Sequence, residues 1–280
     1  MKIAVTGASG FIGGHVLLAL QHRDVEVVAV TRDATRIKGV SDAVPIMEMD
    51  ISNPSSDSFE QMGQPDVLIH LAWDGLPNYK SLHHFETELP RQYHFLKNMI
   101  EAGLPSLLVV GTCFEYGMQS GSLAADILTR PNNPYGYAKD ALRKQLEFLQ
   151  SVTHFNLTWG RLFYMYGEGQ PSTSLYPQLK EAVLRGDKIF NMSGGEQLRD
   201  YLPVEDVAHQ ITQLALAQQD IGAINICSGN PVSVRRLVQQ WLSDNGWEIE
   251  LKLGYYPYPD YEPMAFWGDR EHFDTILEHQ

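Results

Sequence analysis

The chain has 280 residues, of which 44% are hydrophobic and 20% are charged, and its formal net charge at pH 7 is −13. That size and composition fit a folded globular protein with one large α/β sheet and a smaller lobe, and they argue against a disordered chain. Because nucleic acids and anionic membranes attract clustered Lys and Arg, the acidic balance argues against both as partners. A local basic pocket for a small anion remains compatible with it.

The cysteines and the apolar runs argue against further classes of protein. Cys113 and Cys227 are far apart in the sequence and lack Cys-x-x-Cys or paired His spacing, so neither a disulfide framework nor a zinc site is predicted. No uninterrupted apolar stretch approaches the roughly 18 residues of a membrane span. A strand that begins at Lys2 leaves no room for a signal peptide, and we therefore expect a cytoplasmic protein.

The first residues of the chain predict a strand, a glycine turn and a helix. Residues 2–5 form a short apolar run with β-branched side chains, and residues 15–20 have the apolar content of a buried helix. Between them, Gly7 supplies a tight turn, Gly10 lets the backbone approach a pyrophosphate, and Gly13 lets the helix pack closely on the strand. The helix N-terminus offers unpaired N–H groups to the anion. This arrangement predicts a dinucleotide-binding site.

Apolar strand-like runs then alternate with helical segments. Strands are predicted at residues 3–5, 26–31, 46–49, 67–71, 107–111 and 157–164, and helices at residues 13–21, 86–101 and 137–151. This alternation is typical of a parallel, doubly wound sheet. The sequence therefore predicts an α/β fold of Rossmann type.

The pattern changes after Gly167. A loop leads to a short amphipathic helix at residues 176–184, and the Pro- and Tyr-rich residues 255–263 predict irregular structure. A predicted helix at 204–217 and a strand at 223–226 return to the first domain. We predict a dinucleotide-binding domain of residues 1–166, with residues 203–226 returning to it, and a smaller C-terminal α/β lobe of residues 167–202 and 227–280.

Tyr135 and Lys139 stand at positions i and i+4 near the start of a predicted helix. The phenol and the ammonium therefore lie on one helix face, one turn apart. A nearby cation favours the phenolate and moves a phenol with an ordinary pKa of about 10 toward proton exchange at neutral pH. Thr112 follows the strand at 107–111, at the carboxyl end of the sheet, where open α/β sheets place their site residues.

Taken together, these residues resemble the extended short-chain dehydrogenase/reductases, the NAD-dependent epimerase/dehydratase-like proteins, and within them the branch that modifies nucleotide sugars. The resemblance extends over nearly the whole chain. Beside the glycine turn and the Thr/Tyr/Lys set, it rests on Asp50-Ile51, His70-Leu71-Ala72, Leu198-Arg199-Asp200-Tyr201-Leu202-Pro203-Val204-Glu205-Asp206-Val207-Ala208 and Asn225-Ile226-Cys227-Ser228-Gly229. It implies a substrate-binding C-terminal lobe, a nucleoside-diphosphate sugar as substrate, and a homodimer formed through the helices near 86–101 and 137–151.

The resemblance also implies a role for each matched residue. Tyr135 would donate or accept the proton, Lys139 would hold the nicotinamide ribose and polarise Tyr135, and Thr112 would hydrogen-bond the reacting carbonyl. Because the cofactor carries the hydride, the protein has to orient the nicotinamide and stabilise the oxyanion. Asp50 would meet the adenine, and Arg199 would contact the substrate diphosphate.

The candidate site is therefore defined by three sets of residues, and no metal site is expected. The catalytic set is Thr112, Tyr135 and Lys139. The cofactor set is Gly7, Ser9, Gly10, Phe11, Ile12, Gly13, Arg32, Arg36, Asp50, Ile51, Leu71, Ala72, Tyr135 and Lys139. The substrate set is Trp73, Thr112, Tyr135, Tyr164 and Arg199. His70 is expected to be a core residue, and His83 and His84 lack the Cys or spaced acidic partner of a metal site.

Two positions depart from the pattern that the chain resembles. Tyr164 stands where many relatives have Asn, and Phe266, two residues before Gly268-Asp269, stands where they have Arg. Both replaced residues normally touch the substrate phosphates. The sequence therefore predicts that other groups complete the diphosphate clamp, or that the substrate has no nucleotide.

Three activities of this branch share the same Thr/Tyr/Lys set: 4,6-dehydratase, 4-epimerase and 4-keto reductase. The dehydratases have Asp-Glu directly after the catalytic Thr, whereas this chain has Cys113 and Phe114, which cannot serve as acid and base. Dehydration is therefore disfavoured. At the end of the second strand, Arg32 and Arg36 suit the extra phosphate of NADP, with NAD as the alternative cofactor.

A freely exchanging NADPH points to net reduction. We therefore predict a reductase of a nucleotide-linked 4-keto-6-deoxy sugar, such as dTDP-4-keto-6-deoxyglucose, that makes a deoxysugar donor for surface polysaccharide. The alternative is an NAD-dependent nucleotide-sugar 4-epimerase. A non-enzymatic Rossmann redox sensor is disfavoured, because such proteins typically lack the Tyr/Lys pair.

Overall fold

The structure is a computed structural model, and it describes residues 1–40 and 44–278. The strands are β1 (Lys2–Thr6), β2 (Glu26–Thr31), β3 (Ile46–Glu48), β4 (Val67–His70), β5 (Ser106–Thr112), β6 (Gly121–Leu123), β7 (Asn156–Leu162), β8 (Tyr164–Tyr166), β9 (Ile189–Asn191), β10 (Leu198–Pro203), β11 (Gly222–Ile226), β12 (Pro231–Ser233), β13 (Glu250–Lys252) and β14 (Phe266–Gly268). The helices are α1 (Phe11–Gln21), α2 (Ser58–Gln61), α3 (Leu89–Glu101), α4 (Pro134–Gln150), α5 (Leu175–Leu184), α6 (Val204–Ala217), α7 (Val234–Asn245) and α8 (Glu271–Glu278).

The large sheet has seven strands in the order β11-β7-β5-β4-β1-β2-β3. Every pairing in it is parallel, which confirms the predicted doubly wound α/β fold. The chain builds β2 and β3 on one side of β1 and then crosses to β4 on the other side. The carboxyl ends of β1 and β4 therefore border the crevice in which such sheets bind their ligands.

Helices cover both faces of this sheet, because its strands are apolar on both sides. Within β1, Ile3 and Val5 pack with α1 and α6, whereas Ala4 packs on the opposite face with α3 and α4. β5 is buried along its whole length. The core thus lies in two layers that hold the carboxyl ends of the strands in fixed register. No helix in the described ranges has the length and apolar character needed to cross a membrane.

The chain beyond β8 builds a separate apolar cluster from α5, β9 and α7, with Leu179, Phe190 and Trp241 among its buried residues. A three-stranded sheet of order β12-β10-β8 lies beside it. Between these pieces the chain returns to the large sheet, since β11 pairs with β7 and α6 contacts α1.

Several predicted elements have different bounds in the structure. The predicted strand at 157–164 is two strands, because the chain leaves the large sheet at Phe163 and β8 pairs instead with β10. α4 begins at Pro134, earlier than predicted, because the Asn133 side chain accepts a hydrogen bond from Gly136 N and caps the helix. α3 begins at Leu89, later than predicted, because a π-helical turn at His84–Glu88 precedes it.

Candidate active site

The glycine turn between β1 and α1 requires glycine at two positions for steric reasons. Gly7 has φ +70°, and a Cβ there would lie 2.7 Å from the backbone nitrogen of Ala72. A Cβ on Gly13 would lie 2.2 Å from the carbonyl oxygen of Gly7. Gly10 is the N-cap of α1 and brings no side chain to its first N–H groups. These groups remain free for an anionic ligand, as the phosphates of a dinucleotide require.

A cavity of about 260 Å³ adjoins this turn. Of the predicted cofactor residues, those that line it are Gly7, Ser9, Gly10, Arg32, Arg36, Asp50, Ile51, Leu71 and Ala72. Phe11, Ile12 and Gly13 form the first turn of α1 and do not line it, and neither do Tyr135 and Lys139. Trp73, predicted as a substrate residue, lines this cavity instead. The glycine cradle and the polar lining fit a dinucleotide.

Several cavity residues were not predicted, and they come from the strand β2, from the loops after β2, β3 and β4, and from the start of α3. Glu88, Arg91 and Gln92 lie at and just after the start of α3, and their spacing of three and four residues places them on one helix face. This spacing is the sequence signal by which the three residues could have been predicted as one lining face. Asp74 follows β4 and faces Arg32 across 3.9 Å between Oδ1 and Nη2.

The carboxylate of Asp33, at the end of β2, is bound within its own turn. It accepts hydrogen bonds from the backbone N–H and the hydroxyl of Thr35, at 3.0 and 2.5 Å. These bonds hold the pKa of Asp33 below its ordinary value. Similarly, Ser52 donates two hydrogen bonds to Asp50 and lowers the pKa of that carboxyl group. Both carboxylates are therefore fixed as anions beside the cavity.

The three catalytic candidates lie at the end of β5 and the first turns of α4. Tyr135 is 8% exposed and Lys139 is 1% exposed. Lys139 Nζ donates to the Val110 carbonyl at 3.0 Å and lies 4.0 Å from the centre of the Trp73 ring. The hydroxyl of Thr112 accepts a hydrogen bond from Phe114 N at 3.3 Å.

Burial shifts the pKa values of Tyr135 and Lys139 in opposite senses. It raises the pKa of the Tyr135 phenol well above its ordinary value, with the Thr112 side chain acting against the shift. Burial also lowers the pKa of Lys139 to about 7, against the opposing effect of Glu115 and Glu88. Burial therefore disfavours the charged form of both groups, the ammonium of Lys139 and the phenolate of Tyr135. Tyr135 stays protonated and is suited to donate a proton.

Aromatic side chains surround Tyr135. Ring centres of Trp73, Tyr79, His84 and Phe114 lie 6.0, 5.6, 5.2 and 6.4 Å from its own. His84 fixes Trp73 by accepting from the indole Nε1 at 3.0 Å, and its other nitrogen contacts a backbone carbonyl at 2.9 Å. Since the indole only donates and the carbonyl only accepts, His84 is neutral with its proton on Nε2.

A buried polar network is bound to the backbone of Thr112. Glu115 accepts the Thr112 backbone N–H at 2.9 Å and also the Trp159 indole N–H at 3.0 Å. Its second oxygen lies 2.6 Å from Nε of Arg161, which in turn donates to the Tyr116 hydroxyl. All of these side chains are almost completely buried. The network fixes the position of Thr112.

A second cavity of about 260 Å³ lies in the C-terminal half of the chain, and it is lined by the predicted substrate residues Tyr164 and Arg199. Arg199 forms an ion pair there with Glu262, at 2.8 Å between Nη2 and Oε2. The guanidinium carbon lies 4.5 Å from the ring centre of Phe266. Glu262 was not predicted, because it is far from Arg199 in the chain and belongs to no recognisable motif.

The histidines behave differently from one another. His70 is fully buried and bonded to Thr6 Oγ1 and Gln92 Oε1, both at 2.7 Å, and burial lowers its pKa to about 3. The expectation that His83 lacks an acidic partner was wrong, because the loop after β4 folds against the start of α3. Possible ligand atoms of Asp74, His83 and Glu88 lie within 4.8 Å of one another.

These features define the class of protein: a Rossmann-type α/β protein with a dinucleotide cradle and a Tyr/Lys/Thr site at the carboxyl ends of the strands. Residues 3–227 match the model of the NAD dependent epimerase/dehydratase family. The chain belongs to this family.

Known proteins similar to the chain agree with this assignment. It is 30% identical over 270 residues to dTDP-6-deoxy-L-talose 4-dehydrogenase (NAD(+)) of Aggregatibacter actinomycetemcomitans, covering 96% of this chain and 99% of the relative. It is 28% identical to GDP-6-deoxy-D-talose 4-dehydrogenase of the same organism, with coverages of 90% and 83%. Among solved structures, MoeE5 in complex with UDP-glucose and NAD is similar with a TM-score of 0.82 and 26% identity, over 99% of this chain and 92% of that one.

Proposed function

We propose that the protein is an NAD(P)-dependent 4-oxidoreductase that reduces a nucleotide-linked 4-keto-6-deoxy sugar, such as dTDP-4-keto-6-deoxyglucose, to a deoxysugar donor. The observation that carries the proposal is the position of Tyr135. Its ring contacts Trp73, which lines the dinucleotide cavity, and Phe114. Phe114 contacts Tyr261, the neighbour of Glu262 in the second cavity. Tyr135 thus lies in a chain of aromatic contacts that runs from Trp73, in the dinucleotide cavity, to Tyr261, the residue before Glu262.

The reduction needs a hydride and a proton at the sugar carbonyl. A bound reduced nicotinamide supplies the hydride, and the residues of this chain supply the rest. Thr112 and Tyr135 hydrogen-bond the carbonyl oxygen, and Tyr135, protonated because burial raises its pKa, delivers the proton to that oxygen. Lys139 is held by the Val110 carbonyl. Its ammonium contacts the ring of Trp73, which lines the dinucleotide cavity.

The names of the relatives support chemistry at C4. A 4-dehydrogenase oxidises a C4 hydroxyl, and the same residues reduce the ketone in the reverse direction. Elimination is not supported, because Cys113 is buried in an apolar cluster and Phe114 packs on Tyr79. Such an aromatic surrounding suits a methyl group on the sugar better than a hydroxymethyl group.

We propose NADP as the preferred cofactor. Arg32 and Arg36 line the dinucleotide cavity, and the Asp33 carboxylate between them is bound to Thr35. The arginines can hold a 2′-phosphate, and the Asp33 carboxylate is turned toward Thr35. The relative named above is described as using NAD(+), which makes NAD the alternative.

An NAD-dependent nucleotide-sugar 4-epimerase is the second candidate. It is favoured by the carboxylate of Asp33 at the end of β2, because an acidic residue there binds the ribose hydroxyls of NAD and repels a 2′-phosphate. An epimerase regenerates its cofactor in each turnover, whereas a reductase consumes it. The two functions are separated by incubating the purified protein with dTDP-4-keto-6-deoxyglucose and NADPH or NADH. We expect stoichiometric loss of the reduced cofactor and formation of a 6-deoxyhexose, with Tyr135→Phe as the inactive control. In a second incubation, with NAD and a nucleotide sugar that has a hydroxyl group at C4, interconversion of the two C4 epimers without net cofactor consumption would favour the epimerase.

We also propose a cytoplasmic homodimer. The outer surface of α4 exposes two large aromatic side chains, Tyr137 at 54% and Phe148 at 76%. Exposed aromatic side chains on one helix suit a helix-to-helix interface with a second copy. A contribution to surface polysaccharide follows if the product is a deoxysugar donor.

A further inference from the structure

Four of the five N–H donors of the Arg199 guanidinium point to acceptors of the protein itself. Its Nε and Nη2 donate to the same Glu262 oxygen at 3.3 and 2.8 Å. Nη1 donates to the backbone carbonyls of Leu198 and Met264 at 2.8 and 3.3 Å. The Arg199 side chain is 3% exposed and that of Glu262 is 10% exposed. A phosphate can therefore reach the charged edge of Arg199 only where Glu262 now lies.

The second cavity has no net charge as it stands. Among its described lining residues, Arg199 and Glu262 are the only ones with a charged side chain. Phe266 covers the face of the guanidinium and adds no cation. A diphosphate entering this cavity would meet a carboxylate at the position where it needs a cation, and two like charges at contact distance repel strongly in a low-dielectric site.

Glu262 lies on the segment between β13 and β14, outside the helices and strands. We call residues 253–265, which connect β13 to β14, the C-terminal strap. Its last residues are held by the backbone bonds of Met264 and Ala265 to Leu198 and Gly121, at 2.8 and 2.9 Å. Before them, Tyr255 N donates to the Met192 carbonyl at 2.9 Å, Asp260 pairs with Lys80 at 3.6 Å, and Tyr261 accepts a bond from Asn132 at 3.3 Å. A rotation of the Glu262 side chain therefore frees Arg199 without unfolding an element.

We propose that Glu262 competes with the substrate diphosphate for Arg199 and so sets the affinity and selectivity of this site for nucleoside diphosphates. The inference rests on the proposed nucleotide-sugar substrate. A ligand with a diphosphate has to displace Glu262 from Arg199, whereas a nucleoside without phosphate does not. The carboxylate thus weakens the retention of any nucleoside diphosphate and favours release of product over storage in the site.

The test is calorimetry of the full chain with dTDP, UDP and GDP and with the matching nucleosides. Glu262→Gln keeps the size of the side chain and removes its charge, and we expect it to lower the dissociation constant of the bound nucleoside diphosphate about tenfold while that of the nucleoside is unchanged. Glu196→Gln is the matched control, because Glu196 also pairs with an arginine, Arg235 at 3.1 Å, but does not line the cavity. It should change neither constant.

A double-mutant cycle supplies the second measurement. Arg199→Gln should weaken nucleoside diphosphate binding more in the Glu262→Gln background than in the wild type, because in the wild type Glu262 already occupies the guanidinium. Equal or weaker binding by Glu262→Gln, with the wild type binding normally, would overturn the competition and assign Glu262 to positioning Arg199. If none of the three diphosphates binds to any variant, the nucleotide-sugar substrate itself is wrong, and the competition falls with it.

Discussion

Replacing Lys139 with methionine should change how the stability of the protein depends on pH. Burial lowers the pKa of Lys139 from 10.5 to about 7. Above pH 7 the folded state has released this proton while the unfolded state keeps it up to about pH 10.4. The unfolded state then binds more protons, so this group makes stability rise with pH in that window. Lys139→Met removes the contribution.

The magnitude follows from the linkage between pKa and free energy. Each pH unit between the two pKa values corresponds to about 1.4 kcal/mol. Relative to wild type, Lys139→Met should be most stable near pH 6, where the buried ammonium is charged. It should lose about 2–3 kcal/mol of that advantage by pH 9. The loss of the hydrogen bond to Val110 adds an offset that does not depend on pH.

Urea denaturation of both proteins at pH 6, 7, 8 and 9 measures the difference. Other groups that titrate in this range are common to the two proteins and cancel. Lys144→Met is the matched control, since Lys144 lies on the same helix and its side chain is 48% exposed. Its difference curve should be flat. A flat curve for Lys139→Met as well would show that burial does not lower the pKa of Lys139.

Tyr135→Phe removes the proton donor and almost no contact area, so turnover should fall about a hundred- to ten-thousand-fold while the cofactor dissociation constant from fluorescence titration stays unchanged. Near-native turnover would assign the proton to another group. Arg32→Ala should lower kcat/KM for NADPH about tenfold or more relative to NADH. Asp74→Asn, which frees Arg32 from its ion pair at 3.9 Å, should shift the ratio the other way, and one common ratio in all three proteins would place 2′-phosphate recognition elsewhere. Phe148→Asp puts a charge on a side chain 76% exposed on α4 and should convert the proposed dimer to monomers in sedimentation velocity. An intact dimer would place the interface on another surface.

Local patterns were sufficient to predict the large sheet and the dinucleotide turn. Parallel strands buried on both faces are continuous apolar runs, and the runs at β1, β2 and β5 are separated by helix-length segments. The glycines at 7 and 13 reflect steric contacts with the adjacent backbone. Such features depend on neighbours in the chain, which is why a single sequence predicts them.

Contacts between distant segments could not be predicted in this way. Glu262 reaches Arg199 across 63 positions of the chain, and nothing in the composition of the C-terminal strap marks it as a partner of that arginine. The π-helical turn before α3 brings His83 and Glu88 to the loop that carries Asp74. In each case the pairing is decided by how loops fold over the sheet, and loop paths have no periodic signal in the sequence.

Glu115 links the local and the distant parts of the site and bears on the type of reaction. It stands three residues after Thr112, close enough in sequence to be considered as an acid or base for elimination of water. Its carboxylate is instead bound to the Thr112 backbone, the Trp159 indole and the Arg161 guanidinium. A carboxylate whose oxygens accept from these three donors is turned away from a substrate. Tyr135 is sufficient as the proton donor for adding a hydride and a proton to a carbonyl, whereas Cys113, Phe114 and Glu115, which follow Thr112, supply no free acid or base for elimination.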